Sequence, residues 1–72
     1  KEQELQLQLL EHENEERARE ALFIIAELLQ KQPPIKRPIL DQRLRRLEEY
    51  AEDPITRDAA AALRKSIRLH HG

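Results

Sequence analysis

Arg17-Ala18-Arg19-Glu20-Ala21-Leu22-Phe23-Ile24-Ile25-Ala26-Glu27-Leu28-Leu29 is the densest apolar stretch of the chain. Ala18, Ala21, Leu22, Ile25, Leu28 and Leu29 recur at helical spacing and form one stripe. Phe23, Ile24 and Ala26 fall outside it, at about 100° per residue. A helix apolar around most of its circumference has to be covered from several sides. This segment therefore reads as the hub of an all-α bundle, with the six stripe residues in its core.

N-terminal to the hub, Glu11-His12-Glu13-Asn14-Glu15-Glu16-Arg17 holds no apolar residue. Glu13–Arg17 and Glu15–Arg19 sit at i, i+4 in the favourable order, each pair contributing about 0.2–0.5 kcal/mol to a helix. The spacing predicts that the helix runs through this stretch. Asn14 continues the heptad line Leu7, Asn14, Ala21, Leu28, and a polar residue on such a line can fix register and oligomer state. In Lys1–Leu10, Leu5, Leu7 and Leu9 alternate with Gln6 and Gln8, which is strand period. Yet Leu, Gln and Glu are strong helix formers and nothing β-branched is present, so helix is the expectation.

C-terminal to the hub, Pro33 and Pro34 end the helix, since a residue before Pro avoids the α region and Pro lacks a donor. Ile35 is expected to cover the end of the core. Pro38 suits a first helical position and Asp41 a first turn. Leu40, Leu44, Leu47 and Ala51 then make one narrow stripe of a helix over about 38–52, with Tyr50 on its flank. Asp53-Pro54 reads as a cap followed by a new helix over about 54–70. On that helix Ile55, Ala59, Ala62, Leu63, Ile67 and His70 share a face. The core residues expected from these two helices are Leu40, Leu44, Leu47, Ala59, Leu63 and Ile67.

The expected layout is a three-helix unit: one long helix over about 2–32 and two short ones. The long helix would span ~45 Å and the short ones ~22–25 Å each. Short linkers make sequential helices antiparallel neighbours, so nothing in the chain would cover residues 1–16. The 72 residues then form one domain, with 18–70 the local bundle and 1–16 an arm for assembly into a larger helical oligomer. The expected interface comprises Leu5, Leu7, Leu9, Leu10, Asn14, Phe23 and Ile24.

Composition bounds the function. Apolar residues make up 39% and charged residues 38%, with one Tyr, one Phe and one Gly, which is the balance of long helices or coiled coils. There is no Cys, so disulfides and thiolate metal sites are excluded. A domain this small then relies on idealised packing or oligomerisation. Residues 1–32 hold eight acidic and four basic side chains, and residues 33–72 six acidic and nine basic. The halves should attract one another, and the acidic 11–16 segment could meet the Arg43, Arg45 and Arg46 face of a neighbouring copy. The net charge of −1 draws the chain to neither nucleic acid nor membrane. No apolar run approaches the ~18 residues of a membrane span. No targeting signal is visible, so a soluble protein suited to cytoplasmic expression is expected.

Catalytic and ligand-binding patterns are weak. His12 shares a helical face with Glu15 and Glu16, but the Glu that a di-iron bundle places three residues before its His is Leu9 here. His70 and His71 are adjacent and would point apart. Ser66 and His70 sit at i, i+4 without an acidic orienter or oxyanion donors. No Gly-rich phosphate loop exists. Lys36, Arg37, Arg43, Arg45 and Arg46 lack the interleaved aromatics of a nucleic-acid surface. The expectation is no enzyme activity, cofactor, metal, nucleic acid, membrane or small-molecule substrate.

Asp53-Pro54-Ile55-Thr56-Arg57-Asp58-Ala59-Ala60-Ala61-Ala62-Leu63-Arg64 resembles the turn-and-helix dialect of computationally designed (de novo) helical bundle proteins. The absence of Cys, Met and Trp is similar, as is the Leu, Ala, Glu and Arg filling of helix surfaces. His12, Asn14, the Pro33–Pro38 linker and the Gln/Leu alternation depart from that style and fit a fragment of a natural protein as well. The resemblance implies a structural or binding role without a natural substrate. Two roles follow: a self-assembling homo-oligomer whose partners are copies of itself, or a small binder presenting a helix face to a target protein. The scarcity of aromatic anchors favours the first.

Overall fold

The computed structural model describes residues 2–70, and of His70 the backbone alone. The expected placements of the His70 and His71 side chains lie outside the described residues. Four helices follow one another: α1 Glu2–Leu9, α2 Glu15–Leu28, α3 Arg37–Tyr50 and α4 Pro54–His70. No strand occurs among the described residues. The all-α expectation holds. The long helix over 2–32 does not form, and its place is taken by α1 and α2. The molecule measures 28 × 24 × 18 Å, shorter in every direction than the ~45 Å an unbroken helix would need.

The break lies in the polar stretch. Asn14 adopts an extended conformation (φ −83°, ψ 113°), and its side chain accepts from the Glu16 backbone N–H at 2.9 Å. Its own N–H donates to His12 Nδ1 at 3.0 Å. Asn14 thus caps α2, with Glu15 and Glu16 favourably placed in the positive first turn. The chain turns back there because α1 has apolar surface to bury. Leu7 is 5% exposed and Leu10 3%, both in the core with Leu22, Ile25, Leu40 and Leu44. Fully burying a leucine side chain contributes about 1.5–3 kcal/mol, more than a few surface pairs along a straight helix would supply. Glu13 consequently lies outside α2, and Arg17 meets Glu20 at 4.0 Å while Arg19 turns to Asp53.

α1 runs antiparallel to α2. Gln3, at the start of α1, donates to Gln32 Oε1 (2.8 Å) and to the Pro33 carbonyl (3.0 Å), and accepts from the Ile35 N–H (3.0 Å). This buried amide ties down the proline linker, whose Ile35 is 37% exposed. At the other end of α1, Arg43 Nη1 donates to the Leu7 carbonyl at 2.9 Å, satisfying one of the acceptors that a helix C-terminus leaves open. Arg43 and Arg46 also pair with Glu11 at 3.4 and 3.9 Å, and Lys36 with Glu4 at 3.1 Å. The acidic N-terminal half and the basic C-terminal half attract within one chain.

α3 and α4 pair closely, but α2 packs on α1 and α4 and is not the close neighbour of α3 that a short linker implied: α2 ends at Leu28, so residues 29–36 carry the chain across the bundle. α3 buries Leu40 and Leu44, with Leu47 half-buried, and Ala51, the extended residue that ends it, is buried too. α4 begins at Pro54, and Asp53 Oδ1 accepts from the Ile55 N–H at 2.9 Å. Its buried face is Thr56, Ala60, Leu63 and Ile67, rotated from the expected one: Ile55 is 61% exposed and Ala62 lies on the surface. Two apolar faces share this helix, and the small side chain at Ala60 lets α3 approach. Arg64 crosses the α3–α4 seam to Asp41 (3.4 Å) and Glu48 (2.6 Å). Of the expected core, Ala18, Ala21, Leu22, Ile25, Leu40, Leu44, Leu63 and Ile67 are buried. Leu28, Leu29, Leu47 and Ala59 are half-buried.

Candidate functional site: the α2–α4 groove

α4's second apolar face leaves a groove against α2. Leu22, Phe23, Ala26, Leu29 and Gln30 line it from α2, and Ala59, Ala62, Leu63, Ser66 and Ile67 from α4. Its volume is about 640 Å³. Small side chains at Ala26, Ala59 and Ala62 keep the helices from filling the space between them. Leu22, Leu63 and Ile67 belong to the core and form the floor, while Phe23 stands 51% exposed on the rim. Among the described residues no charged side chain lines the groove, and Gln30 and Ser66 are the polar ones there.

The end of the groove near the start of both helices is held by charge-assisted contacts. Arg19 Nη1 donates to Asp53 Oδ2 at 2.9 Å and to Thr56 Oγ1 at 3.2 Å. The Glu15 carboxylate accepts from two backbone N–H groups, Glu52 at 2.8 Å and Asp53 at 2.9 Å. These two donors hold the Glu15 carboxyl below its ordinary value. Glu4 is lowered too, by hydrogen bonding to Lys36 and by its charge. Glu15 therefore joins the start of α2 to the α3–α4 turn, a role hidden in the sequence because the two donors are backbone groups.

The expected interface residues separate. Phe23 sits on the groove rim, and Ile24, one step further round the helix, is exposed outside the lining. Leu7 and Leu10 are core, Leu9 packs half-buried against it, and Leu5 is half-exposed on α1. Asn14 is an exposed cap. A second depression lies between the 10–15 segment and α3, where His12 and Tyr50 face Arg43 and Arg46. Its two arginines are already engaged by Glu11.

The chemistry of the described side chains is sparse. Thr56 is fully buried, and its hydroxyl serves Arg19. Among the described residues no group of three or more His, Cys, Asp or Glu side chains could hold a metal ion. No helix is long and apolar enough to cross a membrane. Comparison with known proteins finds no matching family model, no similar curated protein and no similar solved structure.

Proposed function

We propose that this chain is a non-catalytic helical association module of designed character, and that the α2–α4 groove seats a second copy of the chain. The observation that carries the reading is a groove whose described lining is apolar and uncharged, with Phe23 on its rim. In a two-fold interface each patch meets its own image, so a charge near the axis would face a like charge. An uncharged lining avoids that repulsion, and Phe23 of each copy can enter the groove of the other. The designed character rests on the resemblance of the 53–64 turn and helix, and of the overall composition, to that style of protein.

Solution mass by light scattering behind a sizing column, over a dilution series, tests the reading. Taken from the monomer fraction and concentrated without unfolding, the wild type should become a dimer and Phe23→Glu should stay a folded monomer. Tyr50→Glu, exposed and outside the groove, should leave the mass unchanged. A wild type that stays monomeric throughout would overturn self-association and turn the groove towards an apolar helix of a target protein, the second role open to the fold. A dimer indifferent to Phe23→Glu would overturn the groove as its seat.

A further inference from the structure

We infer that two copies of this chain can exchange α1, the 11–14 bend opening into a continuous helix that delivers each α1 to the body of the other copy. The partner is a second copy, and the surface is the one that α1 already covers at home. This stands apart from the groove, which plays no part in it.

Three observations carry it. First, Glu11-His12-Glu13-Asn14 contains neither Gly nor Pro, and the residues on both sides are already helical. Within the bend the contacts are local, the Asn14 cap on Glu16 and the His12–Asn14 bond, and Glu11 adds half-exposed ion pairs to Arg43 and Arg46 on α3. A continuous helix would replace these with ordinary i, i+4 hydrogen bonds.

Second, the contacts that fix α1 are made to parts of the chain that do not move with it. Gln3 bonds the 32–35 linker, Glu4 pairs with Lys36, and Arg43 holds the Leu7 carbonyl. Leu7 and Leu10 enter a core built with α2, α3 and α4. An α1 from a second copy would remake each of these contacts, so exchange alters the bend, brings the acidic 11–16 segments of the two copies together near the axis, which added salt would ease, and adds the ordinary cost of association.

Third, the geometry closes. α1 and α2 are antiparallel, so two opened helices lying antiparallel about a two-fold axis at the bend set each α1 along the other copy's α2. The opened helix over residues 2–28 is about 40 Å long, well beyond the 28 Å length of the molecule, so α1 clears its own body.

The test uses the chain without added cysteines. Equal amounts of ¹⁴N- and ¹⁵N-labelled chain are unfolded together, refolded at high concentration and separated by size. Each fraction is then treated with a zero-length carbodiimide, which joins the Glu4 carboxylate to the Lys36 amine 3.1 Å away. Mass spectrometry of the linked 4–36 peptide reads whether both halves carry one isotope or two. In the monomer they should match. In an exchanged dimer about half of the linked peptides should be mixed, the random outcome of an isologous pair.

Asn14→Ala removes the cap and favours the helix. A lost cap shifts each bend about fivefold, and two bends per dimer raise the association constant about 25-fold. Asn14→Gly keeps a tolerated cap residue but disfavours a continuous helix, and should stay at or below wild type. Phe23→Glu in the Asn14→Ala background should leave this dimer intact, which separates it from one seated on the groove. Unmixed 4–36 peptides in the dimer fraction would overturn the exchange, and so would an Asn14→Ala chain no more dimeric than Asn14→Gly.

Discussion

Leu7→Ala tests whether α1 is part of the core. Leu7 is 5% exposed and packs in the cluster formed with α2, α3 and α4. Truncating a buried leucine costs about 2–5 kcal/mol, the lower values applying where the site can collapse. α1 is an eight-residue helix at the edge of the bundle, so it can settle into the space, and about 2–3 kcal/mol is expected. A domain of this length is stable by about 4–11 kcal/mol in all, so the variant stays folded with its melting temperature lowered by ~10–20 °C. Leu5→Ala, two residues away but half-exposed, removes the same atoms from a partly wet position and should cost about 1 kcal/mol or less. The assay is guanidinium unfolding followed by helical circular dichroism, with both variants at two protein concentrations. An unbroken helix projecting as an arm would make the two leucines equivalent, or make the Leu7 effect depend on concentration. Losses within ~0.5 kcal/mol of each other, or a Leu7 loss that changes on dilution, would refute the folded-back α1.

Two further outcomes are expected. Gln3→Ala removes the amide that ties α1 to the 32–35 linker and should cost about 1–3 kcal/mol, because the Ile35 N–H and Pro33 carbonyl lose their partner; hydrogen exchange at Ile35 should quicken while that at Leu44 falls only with global stability. Glu15 ionises at lower pH in the fold than in the unfolded chain, because the Glu52 and Asp53 N–H groups favour its charged form. Its contribution is therefore complete above the ordinary Glu value of about 4.3 and is lost as pH falls through the lowered one. Glu15→Gln should flatten the decline in stability below about pH 5, and an unchanged acid limb would remove Glu15 from the link between α2 and the α3–α4 turn.

Asp53-Pro54 was legible in the sequence, whereas Pro33-Pro34 was less so: the helix expected to run to Gln32 stops at Leu28, with residues 29–32 in turns before the prolines. Asp53-Pro54 places the start of α4 at Pro54, and the Leu40, Leu44, Leu47, Ala51 stripe identifies the inner face of α3. Where a helix carries two apolar faces, the inner one was not legible. α4 offers Ile55, Ala59 and Ala62 as readily as Thr56, Ala60, Leu63 and Ile67, and packing against α3 selects the second set. The unselected face becomes one wall of the groove, so the misplaced core residues and the candidate site share one origin. α1 carried a signal that the Leu/Gln alternation obscured. Gln3, Gln6, Leu7 and Leu10 fall at i, i+3, i+4 and i+7, and all four are buried. Two glutamines on that face disguise it as surface, although Gln3 is inside because three backbone and side-chain partners meet it there.

The bend and the exchange have a common cause. Residues 11–14 contain no Gly or Pro, and the bend is closed by the Asn14 cap and the His12–Asn14 bond, which a helix would replace with i, i+4 bonds. What decides between them is where Leu7 and Leu10 find cover, and that choice depends on concentration. In a dilute chain the nearest cover is its own α2, and the bend forms. At high concentration a second copy offers the same cover to an unbent helix, and the mass-action term favours the pair. If the proposed exchange occurs, a long helix whose leucines need a partner and a short helix folded onto its own core are two solutions of one sequence. The exchange experiment measures the balance between them.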